Sequence, residues 1–110
     1  MADCIFCKIA KKEIPSKIVF ESENIIAFED THPVAPVHIL LIPKKHIKST
    51  VDLREEDSAL MGEMMISAKK IADEKGISQE GYKLLIRTGK NGGQEVDHLH
   101  LHLIGGKPLW

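Results

Sequence analysis

Between Val96 and Gly106 the chain reads V-D-H-L-H-L-H-L-I-G-G, and three of its six histidines fall at every second position there. Strict alternation of this kind fits a β-strand with two unlike faces, because successive strand side chains point to opposite sides. Leu99, Leu101 and Leu103 then share a core face. His98, His100 and His102 share the other, which opens onto a site or onto solvent. A strand rises roughly 3.4 Å per residue, so neighbouring histidines stand about 7 Å apart and the outer two about 14 Å. Metal–nitrogen bonds are only about 2.0–2.1 Å long. One ion can hold an adjacent pair and not all three, so at least one histidine has another task.

The rest of the chain supplies partners for such a strand. Ile5 to Lys12 reads as a short helix, stopped before Pro15. Lys17 to Glu21 and Ile25 to Glu29 read as two strands of a hairpin, joined by the turn S-E-N. The D-T-H-P stretch at 30–33 breaks the pattern, and His32 in it reads as a surface residue. Val37 to Pro43 is a third strand, apolar enough to lie centrally. One long helix follows, with Asp52 as its cap and Glu55 as the capping-box partner. Leu60, Met61, Met64, Met65, Ala68, Ile71 and Ala72 recur at three- and four-residue intervals as an apolar stripe, with the methionines as core filling. Gly76 closes that helix. Gly81 to Thr88 is strand four, and the histidine strand is strand five. The expectation is one α+β domain over residues 1–110: a five-stranded, mostly antiparallel sheet, one long helix on one face, and a short N-terminal helix.

A formal net charge of −1 argues against a nucleic-acid partner, which calls for a strongly basic surface. No apolar run approaches the length of a membrane span. The opening M-A-D-C-I-F-C-K lacks the pattern of a secretory signal, so a cytoplasmic location is expected. Cys4 and Cys7, in C-x-x-C spacing, then suggest metal or redox chemistry ahead of a structural disulfide.

The loop G-K-N-G-G-Q-E from Gly89 to Glu95 leads into the histidine strand. Taken alone it is a turn, but bare backbone N–H groups in such a loop can cradle an anion, and Arg87 and Lys90 add positive charge. A neutral imidazole, with an ordinary pKa of about 6.5, is a good nucleophile near neutral pH. It can attack phosphorus to give a covalent phospho-histidine. A second histidine and the loop amides can then stabilise the growing charge. This scheme needs no Mg²⁺, and the sequence shows no acidic cluster to hold one.

His98-Leu99-His100-Leu101-His102-Leu103 resembles the signature of the histidine-triad family. C-I-F-C-K-I near the start, A-F-E-D at 27–30, H-I-L-L-I-P-K-K-H at 38–46 and G-G-Q-E-V-D-H-L-H-L-H-L-I-G-G at 92–106 resemble its Hint branch, the histidine-triad nucleotide-binding proteins of bacterial type. The resemblance implies a purine nucleotide substrate, hydrolysis of nucleoside phosphoramidates and related AMP conjugates, and a homodimer joined edge to edge in part through residues 82–88. It implies His100 as the nucleophile that becomes nucleotidylated, His102 as a phosphate contact and His38 as support for the nucleophile. It implies Asp30 at the ribose hydroxyls, where a carboxylate's acceptor chemistry fits. Phe6, Ile9 and Phe28 match the apolar walls of the base pocket, and Gly93 a loop glycine close to the phosphate. Glu95 stands where animal members carry serine. Arg87 stands where the family usually has asparagine or glutamine; it can still grip phosphate, and more strongly.

Within that resemblance, His98 and His46 have no catalytic counterpart, and the match brings both near the N-terminal segment. With Cys4 and Cys7 they are expected to form a structural zinc site, leaving His100 and His102 to the phosphate. Other readings stay open on the sequence: a dinucleoside polyphosphate hydrolase of the Fhit type, a nucleotide-binding regulatory module with vestigial catalysis, or a plain metal-binding protein.

Overall fold

The computed structural model describes residues 4–109. Helix α1 spans Ile5–Ala10. Strands β1 (Ile18–Glu21), β2 (Ile25–Glu29) and β3 (Val37–Pro43) follow, then helix α2 (Ser58–Glu74), β4 (Tyr82–Ile86) and β5 (Leu101–Gly105). The strands form one sheet in the order β1-β2-β3-β5-β4, and every neighbouring pair is antiparallel. The α+β class, the hairpin and the central place of β3 all agree with the sequence reading.

The sheet is covered on both faces, which explains why β2 and β3 read as continuous apolar runs rather than alternating ones. Ile25, Ala27, Ile39, Leu41, Leu99, Leu101 and Leu103 pack with Met64, Ala68, Ile71 and Ala72 of α2. On the opposite face Ile26, Phe28, Leu40 and Ile42 pack with Phe6 and Ile9 of α1. The leucines of the H-L-H-L-H-L run thus point to α2, and the histidines point to the side where α1 lies.

Three local expectations change. Regular pairing of β5 starts at Leu101, so only His102 of the three histidines lies in the ladder, and residues 96–98 form a bend. The alternation of faces survives because Leu99 N–H donates to the Ile47 carbonyl at 2.7 Å, outside the strand proper. The long helix begins at Ser58 rather than at Asp52. Asp52 ends a separate single turn over Thr50–Asp52, and Leu53 after it is extended, which breaks the helical path. The buried Asp57 takes over the start: it accepts from Arg54 N–H at 3.0 Å and pairs with Lys45 at 2.8 Å. Finally, Met65 is exposed while Ser67 is buried, so the stripe's buried edge runs through Met64, Ser67, Ala68 and Ile71.

Candidate active site

The face between α1 and the histidines holds a cavity of about 450 Å³. Phe6, Ile9 and Phe28 line it, and Ile14, Leu40 and Val96 extend the same apolar wall. Phe6 stands edge-on to Phe28 with ring centres 5.4 Å apart and to His100 at 5.1 Å. Asp30 lies at one rim, and Arg87, Gly93 and Glu95 line the same cavity from the β4–β5 connection. His100 and His102 complete it. An apolar slot with a few convergent polar groups is the usual form of a small-molecule site.

The β4–β5 connection is held in shape by Gln94. Its amide donates to the carbonyls of Lys48 and Val96 at 2.7 and 2.9 Å, and its oxygen accepts from Gly89 N–H at 2.9 Å. Gly92 fits because a Cβ there would run into the backbone of Thr88, and Gly93 takes a φ of +75° beside the Arg87 guanidinium. The sequence shows Gln94 only as part of the G-G-Q-E run, with no role for its side chain.

Partners fix the tautomers of His100, His38 and His102. His100 Nδ1 lies 2.7 Å from the His98 carbonyl, which only accepts, so Nδ1 carries the proton and Nε2 keeps its lone pair for the cavity. Val34 N–H donates to His38 Nδ1 at 3.2 Å, so the His38 proton is on Nε2. From there it is directed to His102 Nδ1 at 3.0 Å, with Asp30 Oδ2 close by at 3.4 Å. His102 therefore carries its own proton on Nε2, a buried nitrogen with no partner among the described residues. Burial, reinforced by His100 and His38, pushes His102 down to about 4, so it is a neutral donor at neutral pH. The site thus offers one lone pair and one N–H from adjacent histidines whose ring centres are 5.0 Å apart.

His38 bonds His102 directly and reaches His100 only through it. The register explains it: Leu40 pairs with His102, so His38 lies diagonal to His102 on the shared face and a further two residues from His100. Asp30, His38 and His102 lie close enough together for a metal. The Val34 bond argues for a hydrogen-bonded chain instead, since it leaves a proton on the nitrogen that a metal would need.

Cys4, Cys7, His46 and His98 do come together, each offering one ligand atom within 4.8 Å of the others. Cys4 Sγ is 3.3 Å from His98 Nδ1, and Cys7 Sγ is 3.6 Å from His98 Nδ1 and 3.2 Å from His46 Nδ1. Tetrahedral zinc, with bonds of about 2.3 Å to sulfur and about 2.0–2.1 Å to nitrogen, sets sulfur and nitrogen about 3.6 Å apart. His98 Nε2–H donates to the Pro43 carbonyl at 2.8 Å, which leaves Nδ1 free as a ligand and provides the outer bond typical of metal-bound histidine. Burial lowers the pKa of His98 and keeps its ring neutral, as a ligand must be. Burial and the Cys4 thiol push Cys7 upward, a state that a cation would relieve. These four residues could hold a metal ion.

Comparison with known proteins finds relatives over nearly the whole chain. A family model described as scavenger mRNA decapping enzyme C-term binding matches residues 3–108. The chain is 50% identical to Protein HitA of Neisseria gonorrhoeae over 105 residues, 96% of this chain and 97% of that protein. It is 46% identical to the purine nucleoside phosphoramidase of Escherichia coli K12 over 107 residues, 97% of this chain and 90% of that one. Among solved structures, the HIT family hydrolase from Legionella pneumophila Philadelphia 1 superposes with a TM-score of 0.95 at 51% identity, covering 96% of this chain and 95% of that one.

Proposed function

The chain belongs to the histidine-triad family, and from that premise we propose that it hydrolyses purine nucleoside phosphoramidates and related AMP conjugates through a covalent nucleotidyl–His100 intermediate. The observation that carries this reading is the bond from His100 Nδ1–H to the His98 carbonyl, which fixes Nε2 as a lone pair toward the cavity. That lone pair attacks the α-phosphorus. The phosphorus–Nε2 bond forms, the bond to the amine breaks, and the amine leaves with the electron pair and takes up a proton. The imidazole becomes cationic, and the His98 carbonyl stabilises it through the Nδ1–H. His102 Nε2–H, which has no partner among the described residues, would bond a phosphoryl oxygen whose charge grows in the transition state. Water then displaces His100, releasing AMP and the proton that balances the one taken by the amine.

The lining of the cavity supports the other roles. Phe6, Ile9 and Phe28 would sandwich the purine, Asp30 would accept from the ribose, and Gly93, Arg87 and Glu95 would meet the phosphate and leaving group. The direct test is turnover of an AMP–amine conjugate beside a dinucleoside polyphosphate. Preference for the conjugate is expected. Preference for the polyphosphate favours the Fhit-type reaction, and binding of AMP with no turnover of either favours a regulatory module.

Zinc suits the Cys4–Cys7–His46–His98 set, which matches a tetrahedral two-cysteine, two-histidine donor set. When bound, it would tie α1 to β3 and to the segment before β5. Thiols held this way suit a reducing compartment, which supports a cytoplasmic location. The edge position of β4, with half-buried Leu84, Leu85 and Ile86, supports a homodimer paired through that strand, since an apolar free edge invites pairing. Sedimentation at micromolar concentration is expected to give twice the 12.3 kDa chain mass, and a stable species of one chain mass would contradict the dimer.

A further inference from the structure

We propose that nucleotide binding and metal binding are linked through α1: a metal on the Cys4–Cys7–His46–His98 set fixes Phe6 and Ile9 for the purine, and the purine in turn retains the metal. The inference rests on the purine reading of the cavity given above. One short helix carries both sets of groups. Cys4 caps α1, its Sγ taking the Cys7 N–H at 3.3 Å. Residues three apart share a helix face. Cys4 and Cys7 therefore look toward His98 and His46, at 3.2 to 3.6 Å. Phe6 and Ile9, also three apart, line the cavity with Ile5 beside them.

Few other contacts hold α1. At six residues it is far shorter than the roughly 12–15 at which an isolated helix is marginal, so its position depends on packing. Among the described residues, the backbone hydrogen bonds of residues 4–13 close within that segment, as from Lys8 N–H to the Cys4 carbonyl and from Glu13 N–H to the Lys8 carbonyl. The ion pair of Lys12 with Glu21 lies at the surface, with the Lys12 side chain 58% exposed, where such pairs contribute little. Two anchors are left. One is apolar: Phe6 and Ile9 against Ile26, Phe28, Leu40 and Ile42. Its outer side is the cavity wall itself, so a purine completes it. The other is the thiol pair against His46, which follows β3, and His98, which precedes β5. Coordinate bonds of about 2.0–2.3 Å would turn those contacts into a rigid tie. Each anchor restrains the helix that the other needs. Each ligand therefore binds better when the other is present, and by the same factor.

The test uses the full chain under reductant in three forms: zinc-loaded, stripped with chelator, and reloaded. Affinities for AMP and for ribose 5-phosphate are measured by calorimetry. Zinc affinity is measured by chelator competition with and without AMP, and opening of α1 by hydrogen exchange of its amides. Stripping should weaken AMP binding about tenfold and reloading should restore it, while ribose 5-phosphate, which has no base for Phe6 and Ile9, changes less than about twofold. AMP should tighten zinc by the same factor of about ten. The α1 amides should exchange faster in the stripped chain and slow again with either ligand. A folded, stripped chain that binds AMP as tightly as the loaded one overturns the proposal. So does a zinc affinity that AMP leaves unchanged, an equal weakening of AMP and ribose 5-phosphate, or a chain that takes up no zinc. If stripping unfolds the chain, His46→Ala carries the test, because it removes one ligand and leaves α1 intact. Its AMP affinity should rise with zinc occupancy, and an affinity independent of occupancy overturns the proposal. A zinc-loaded chain that binds AMP no better than ribose 5-phosphate contradicts the purine reading and the proposal with it. The loaded form, measured first, keeps that failure apart from a failure of the linkage.

Discussion

Replacing His100 with alanine is expected to reduce hydrolysis of an AMP–amine conjugate by on the order of a thousandfold or more, while AMP still binds and the chain still folds. Loss of a nucleophile leaves only binding and electrostatic stabilisation, and residual rates in comparable systems are small. The fold should survive because His100 precedes the ladder of β5 and borders an existing cavity, so its truncation enlarges a space already open to ligand. The carbonyl of His98 loses its partner but lies beside that space. Circular dichroism and AMP calorimetry check folding and binding. Turnover above a tenth of the parent rate would contradict the assignment.

His102 should come second. His102→Ala removes the N–H donor assigned to the phosphate, and loss of one such donor costs about 10²–10³ in turnover. His102→Gln, which keeps a donor, should recover part of that rate. The same residue carries a pH signature in stability. Its pKa is lowered from 6.5 to about 4 in the folded chain, first by burial and then by His100 and His38. Between those values the unfolded chain binds a proton that the folded one refuses, so stability rises with pH. The contribution is therefore lost as pH falls from 6.5 toward 4 and is constant above that window. Thermal midpoints of the parent and of His102→Gln from pH 4 to 8 check this. The variant should show a shallower slope on the acid side, and identical slopes would contradict the burial argument.

The order of elements could be read because each strand carries its pattern locally. β2 and β3 are bounded by turn residues, and the histidine–leucine run states its own two faces. The site lining was legible through resemblance, since the residues that converge on the cavity are scattered from Phe6 to His102 and no local spacing joins them. The same holds for Cys4, Cys7, His46 and His98, of which only C-x-x-C is a local signal. What escaped reading depends on backbone groups. The Val34 N–H that sets the His38 tautomer has no side-chain signature, nor has the His98 carbonyl that sets the tautomer of His100. The start of α2 was misplaced for a related reason. Asp52 and Glu55 have cap spacing, but the extended Leu53 and the pairing of Asp57 with Lys45 move the start to Ser58, and those contacts come from β3's exit loop rather than from the helix itself.

The central claim is that phosphorus becomes bonded to one nitrogen of one histidine. Mixing the zinc-loaded chain with a slow AMP–amine conjugate, quenching during the first turnover and mapping the modified peptide by mass spectrometry tests it most directly. The expected result is one AMP per active chain, carried on His100, formed no more slowly than steady-state turnover and lost on hydrolysis. An adduct on His98, His102 or His38, or steady turnover with no adduct on any histidine, would contradict it.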